Sequence, residues 1–252
     1  MRIVYVVPGP MSRTALGGAE VQRRQEILRR WAPEGAEVTV QDVPSGPASI
    51  ESAYEEYVSV EQTARLVTRL EADGADAIIL GCYGDPGLDA LCELTERAIL
   101  VGPGAASAHL ATMLGHRFGV VTVADGVVHP IRRLVADAGL TGSLAGIAVV
   151  DVPVLELGTD REASALRAAE AGRTLVDRDG ADVLVLGCMS MAFLELDADL
   201  QAKLGVPVVN PVKAALAIAH ARAQFGWRHS KTAYPTPRKL AAGATLGDLV
   251  VG

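Results

Sequence analysis

The chain has 252 residues, half of them apolar, which is enough to bury a sizeable core as one domain or two compact lobes. Its net charge of −7 argues against a nucleic-acid partner, because phosphate binding needs a basic field. Three cysteines make no disulfide framework and suit a reducing cytoplasm, and no apolar stretch approaches the roughly 20 residues that span a bilayer.

Taken in chain order, short apolar runs bounded by Gly, Pro or Asp fall at residues 3–7, 37–41, 77–80, 99–101, 118–123, 146–150, 183–186 and 207–209. With little polar alternation, each reads as a strand buried on both faces. The first run is too short for a signal peptide and is closed by Pro8. Helices are expected near residues 19–31, 58–71, 105–114, 130–138, 161–178 and 212–224. Alternation of this kind predicts an α/β fold with parallel sheets and right-handed crossovers. The basic, turn-rich segment at 228–238 reads as a coil wrapped on a lobe.

Two stretches repeat. Asp73-Gly74-Ala75-Asp76-Ala77-Ile78-Ile79-Leu80-Gly81-Cys82 matches Asp179-Gly180-Ala181-Asp182-Val183-Leu184-Val185-Leu186-Gly187-Cys188 at an offset of 106 (188 minus 82). Val101-Gly102-Pro103 and Val209-Asn210-Pro211 correspond at an offset of 108 (211 minus 103), each opening an Ala-rich helix. We therefore expect two similar lobes of four strands related by a pseudo-two-fold, residues 1–103 plus 212–252 and residues 104–211. Their shared cleft would be lined by carboxyl ends of strands, where open α/β sheets bind ligands.

Cys82 and Cys188 end equivalent strands and stand before segments that can open helices, where free N–H groups favour a thiolate. Asp85 would cap the first such helix, with Pro86 at its first position. A thiolate on one face of a carbon acid and a thiol on the other can remove and return a proton, with neighbouring amides holding the developing enolate oxygen. Cys92, beside Leu88 and Leu91, reads as a packed core thiol. Metal ligation is not expected: there is no CxxC or HxxxH, and the five histidines are scattered. Gly102-Pro103-Gly104 lacks a Walker lysine and a full dinucleotide fingerprint, so no cofactor is indicated. Thr122, at a strand end, is a further ligand-facing candidate, and Asp125-Gly126 reads as a turn near the cleft.

Gly81-Cys82-Tyr83-Gly84-Asp85-Pro86-Gly87-Leu88 resembles the first cysteine motif of hydantoin racemases, within the aspartate/glutamate racemase superfamily. Leu186-Gly187-Cys188-Met189-Ser190-Met191 resembles the second, usually Gly-Cys-Ala-Gly-Met, and the stretches at 46–52, 102–111 and 117–122 are also similar. The resemblance implies a bilobal fold, homo-oligomers, a small-molecule substrate and cofactor-independent racemisation of 5-substituted hydantoins or a related cyclic ureide. Carried over, Cys82 and Cys188 become the acid/base pair. Tyr83, Gly84, Met189, Ser190, Thr122, Pro8 and Gly9 become substrate contacts, with the amides of Tyr83 and Met189 as oxygen donors.

The chain departs from the family at Val7-Pro8-Gly9-Pro10, where Asn-Pro-Asn-Thr is frequent, and at Met189-Ser190, where Ala-Gly is usual. Amino-acid racemases of the superfamily follow their cysteines with Asn-Thr or Thr-His to grip a carboxylate, and Tyr83-Gly84 and Met189-Ser190 do not. Maleate isomerase and arylmalonate decarboxylase chemistry on the same scaffold, and a non-catalytic binding protein, stand as alternatives.

Overall fold

The computed structural model describes residues 1–249; residues 250–252, the end of the segment assigned above to the first lobe, lie outside the described residues. Eight strands form two separate parallel sheets of four. The first contains β1 (Arg2–Val7), β2 (Glu37–Asp42), β3 (Ala77–Leu80) and β4 (Ile99–Val101), in the order β2-β1-β3-β4. The second contains β5 (Phe118–Thr122), β6 (Leu144–Val149), β7 (Val183–Leu186) and β8 (Val208–Val209), in the order β6-β5-β7-β8. The orders are the same once strands are paired by repeat.

The helices are α1 (Gly17–Trp31), α2 (Ala53–Ala72), α3 (Leu88–Leu94), α4 (Pro103–Leu114), α5 (Val128–Asp137), α6 (Arg161–Asp177), α7 (Met189–Phe193), α8 (Leu196–Leu204), α9 (Pro211–Phe225) and α10 (Arg238–Ala241). Alternate residues of the first sheet serve two faces, as the period of a strand demands. Ile3, Tyr5, Val7, Ala77, Ile79, Ile99 and Val101 join a large core continuous with the second sheet. Val4, Val6, Ile78, Leu80 and Leu100 pack instead on Leu66, Val67 and Leu70 of α2 and on Leu91 and Cys92 of α3. The last long helix, α9, lies on β3 and β4, while α4 contacts β5, β7 and β8.

The repeated Asp-Gly-Ala-Asp motif has a structural job. Asp76 Oδ2 accepts the amide of Arg2 at 2.7 Å, and Asp182 accepts the amides of His116 and Arg117 at 3.0 and 2.9 Å. Each carboxylate thus starts the neighbouring central strand in register. Arg2 and Arg117 close the same circuit by donating to the carbonyls of Asp73 and Asp179. Edge strands β2 and β6 differ from the sequence expectation of full burial. Most of their residues are half-buried, whereas the edge strand β4, packed against both α3 and α9, is fully buried.

The tail follows the first lobe. Lys231 Nζ donates to the carbonyls of Cys92, Glu93 and Thr95 at 3.0 to 3.3 Å, satisfying orphan acceptors at the end of α3. His229 contacts Cys92 Sγ at 3.4 Å and the backbone of Leu100. Burial beside Arg222 pushes its pKa down to about 4, so the imidazole is neutral. Cys92 is buried in this cluster, away from the cavity between the sheets.

Candidate active site

The carboxyl ends of both sheets converge on one cavity of about 770 Å³, counted with its open mouth. Residues that follow β1, β2 and β3 line it (Pro8 and Gly9; Pro47 to Ile50; Gly81 to Gly84). So do those that follow β5, β6 and β7 (Val123 and Val127; Val154 and Leu155; Gly187 to Ser190). Equivalent strand ends of the two halves therefore both contribute to its wall. Cys82 and Cys188 both belong to these walls.

The glycine before each cysteine is required by close approach. The Gly81 amide donates to Val6 O and the Gly187 amide to Val121 O, both at 2.7 Å. A Cβ at Gly81 would lie 2.5 Å from Val6 O, and one at Gly187 would lie 2.6 Å from Val120 Cγ1. Each strand can therefore stay hydrogen-bonded to its neighbour until it releases the cysteine into the cavity.

Past the cysteines the halves diverge. Cys188 is the N-cap of α7, without a side-chain cap hydrogen bond, and the backbone of Met191 and Ser190 at the start of the helix favours its thiolate. Cys82 enters a loop whose Gly84 backbone favours the thiolate. The expectation that Asp85 and Pro86 open a helix is corrected here. Asp85 takes a left-handed conformation (φ 50°), Gly87 caps α3, and helix begins at Leu88. The Asp85 carboxylate reaches instead across to α4 and accepts the amides of Gly104 and Ala105 at 2.9 and 2.8 Å. The reason lies in the repeat. Asn210 caps α9 with its own side chain, whereas its counterpart Gly102 has none, and a Cβ at Gly102 would collide with the Asp85 carboxyl. Burial, reinforced by Glu56 and opposed by the two amides, pushes Asp85 up to about 7.

The charges around the two sulfurs differ in sign. Burial raises the Cys82 thiol; the Gly84 amide opposes this, and Glu56 and Asp85 add to it. Burial also raises Cys188, but the amides of Met191 and Ser190 and the Arg24 guanidinium all pull the other way, with Glu51 opposing them. Arg24 is 3% exposed, donates to Glu20 Oε1 at 2.8 Å and Ser190 Oγ at 2.9 Å, and sits 4.7 Å over the Phe193 ring. Cys188 itself is 8% exposed, while Cys82 is half-buried. Beneath them Tyr5 packs edge-on against Phe193, its hydroxyl buried and without a hydrogen-bond partner among the described residues.

The cavity brings together Cys82, Cys188, Pro8, Gly9, Tyr83, Gly84, Met189 and Ser190. The Tyr83 side chain is buried toward Ser107, so its contribution is backbone. Thr122 does not join them. It is fully buried and its hydroxyl donates to Gly187 O at 3.1 Å, fixing β5 to the segment that precedes Cys188. The Asp125-Gly126 turn is a short 3-10 helix pressed against the Glu51 carbonyl, so that loops of the two halves meet there.

Sequence reasoning missed the two charged wall residues, Arg24 and Glu56. The available signal was periodicity. Arg24 shares a buried helix face with Ile27 and Leu28, and Glu56 shares one with Ser59, Thr63 and Val67. Apolar groups complete the wall, among them Met11, Leu16, Ile50, Val127, Ile131 and Leu155. Among the described residues, no group of three or more His, Cys, Asp or Glu could hold a metal, and no helix is long and apolar enough to cross a membrane.

Residues 19–219 match the family model described as Asp/Glu/Hydantoin racemase. The chain is 36% identical over 195 residues to a hydantoin racemase of Pseudomonas sp. (strain NS671), covering 77% of each protein. It is 32% identical over 232 residues to a hydantoin racemase of Paenarthrobacter aurescens, covering 92% of this chain and 94% of that one. Among solved structures, an allantoin racemase from Pseudomonas fluorescens superposes with a TM-score of 0.87 at 30% identity and full coverage of both chains.

Proposed function

The chain belongs to the Asp/Glu/hydantoin racemase family and is an isomerase of the racemase class; from that premise we propose that it racemises 5-substituted hydantoins or a related cyclic ureide by proton transfer between Cys82 and Cys188. The observation that carries this reading is the presence of both cysteines, released by equivalent strands, in the walls of one cavity. One sulfur, as thiolate, takes the proton from the ring carbon next to the carbonyl. The C–H bond breaks, an S–H bond forms, and charge passes to the carbonyl oxygen. The Tyr83 and Met189 amides are the proposed donors to that oxygen. The other sulfur gives its proton to the opposite face, restoring the C–H bond with inversion and becoming the thiolate. The reverse reaction exchanges the roles, and no cofactor enters.

Surroundings support a neutral ring with an apolar substituent. The wall is mostly hydrocarbon, and its charged side chains are Arg24 and Glu56. Arg24 is already engaged by Glu20 and Ser190, so no free guanidinium waits for a substrate carboxylate. This disfavours amino-acid, malonate and maleate substrates. The test is solvent deuterium entering the substrate carbon, followed by mass spectrometry across hydantoins, allantoin, aspartate, glutamate, arylmalonates and maleate. Exchange confined to the ureides is expected. Turnover of the dicarboxylates without ureide exchange would overturn the reading.

A further inference from the structure

Glu56 sits where a carboxyl is costly. It falls in the buried stripe of α2, is 4% exposed, and lines the cavity. Its Oε1 lies so close over Gly84, two residues from Cys82, that a Cβ there would collide with it. No hydrogen bond from the described residues reaches either oxygen. The nearest cation is Arg133 of α5, with Nη2 3.9 Å from Oε2, and that guanidinium is 47% exposed and already donates to the Tyr57 hydroxyl. A carboxylate taken from water without donors is strongly penalised unless something else pairs with it. Burial accordingly raises its pKa, with Arg133 only partly opposing. A group of this kind on a cavity wall calls for a partner from outside the fold.

We propose, building on the ureide reading above, that the Glu56 carboxylate is the specificity-determining group, accepting a ring N–H of the substrate beside Cys82. A cyclic ureide has N–H groups flanking its carbonyls and supplies the missing donor. A free carboxylate in the same place offers only acceptors and a like charge. Gly84 is part of the device, because any side chain there would drive the Glu56 carboxyl off the cysteine loop. The interaction is N–H to O⁻, and no bond is made or broken in it.

The experiment uses the full chain, a 5-substituted hydantoin, and its N1-methyl and N3-methyl derivatives, with wild type, Glu56→Gln and Glu56→Ala. Dissociation constants come from calorimetry, and kcat and KM from exchange at the ring carbon. A hydrogen bond to a charged group predicts that Glu56→Ala weakens binding of the parent about 10- to 100-fold. KM should move more than kcat, and Glu56→Gln should fall between. Methylation of one ring nitrogen should cost wild type a similar factor and cost Glu56→Ala little, a coupling that partial unfolding of the variant cannot mimic. Equal methylation penalties in variant and wild type at both nitrogens, or undiminished binding of the parent by Glu56→Ala, would overturn the assignment of Glu56 alone. Absence of exchange by wild type on every ureide would remove this inference together with the reaction it rests on.

Discussion

The two cysteine segments start from one backbone plan and end in opposite electrostatic settings. Up to the sulfur they are nearly superimposable in logic: an Asp that sets strand register, a buried strand, a glycine with no room for a Cβ, then the cysteine. After the sulfur, the Cys82 loop gathers Glu56 and Asp85, and the Cys188 turn gathers amide donors and Arg24. The comparison teaches that duplication supplied position, while neighbouring elements supplied chemistry. In the proposed mechanism this makes Cys188 the sulfur that ionises more readily and Cys82 the one that holds its proton, because negative neighbours penalise a second negative charge and a buried guanidinium favours one.

The largest effect should come from removing either sulfur. Cys82→Ser and Cys188→Ser are each expected to lower two-way interconversion by about 10²- to 10⁴-fold, measured by polarimetry on both enantiomers. Next, Arg24→Met removes the cation that favours the Cys188 thiolate. The rising limb of the rate against pH should move to higher pH, since more base is needed to ionise the same thiol, with about tenfold less activity at neutral pH for each unit of displacement. Glu56→Gln should move the Cys82 thiol the opposite way, so that the two variants displace pH profiles in opposite directions. Alkylation rates of the two thiols against pH, followed by peptide mass spectrometry, would check both.

The helix caps sharpen the comparison at the level of stability. Asp85→Ala and Asn210→Ala each remove acceptors from the start of a long helix, and each should cost about 1–2 kcal/mol in denaturant unfolding. Only the first should carry a pH dependence. Asp85 is raised from 3.8 to about 7 in the fold, so the folded state holds its proton longer than the unfolded chain. Its contribution is therefore present below about 4 and is lost as pH rises through about 7, and wild type should lose ground against Asp85→Asn across that window. The smallest effect belongs to Thr122→Val. Loss of its bond to Gly187 should cost about 1 kcal/mol, with KM unchanged because the side chain does not line the cavity.

The fold was legible because a parallel strand buried on both faces must be an apolar run, and Gly, Asp and Pro punctuate such runs. The Ala77–Leu80 and Val183–Leu186 strands could be read to the residue for this reason. Helix α8 was not legible. Its sequence alternates Leu196, Ala198, Leu200, Ala202 and Leu204 with Asp197, Asp199, Gln201 and Lys203, a period of two that does not read as a helix, and Glu195 in a left-handed conformation separates it from α7. The cysteine pair could be singled out from the internal repeat alone. For Arg24 and Glu56 the repeat carries no signal and only helical periodicity does, because their neighbours at Ser190 and Gly84 are distant in sequence and a charge within a helix ordinarily reads as solvated. Asp85 misled for a related reason: its local spacing fits a helix cap, yet the helix it caps begins at Pro103.

The most direct measurement follows each pure enantiomer of a 5-substituted hydantoin in heavy water, through its first turnover, with wild type and the two serine variants. The account predicts that wild type places one deuterium on the ring carbon of the inverted product, and that neither Cys82→Ser nor Cys188→Ser produces the inverted product at a comparable rate. Inversion at the wild-type rate by either variant, or inverted product that keeps the original hydrogen throughout, would contradict it.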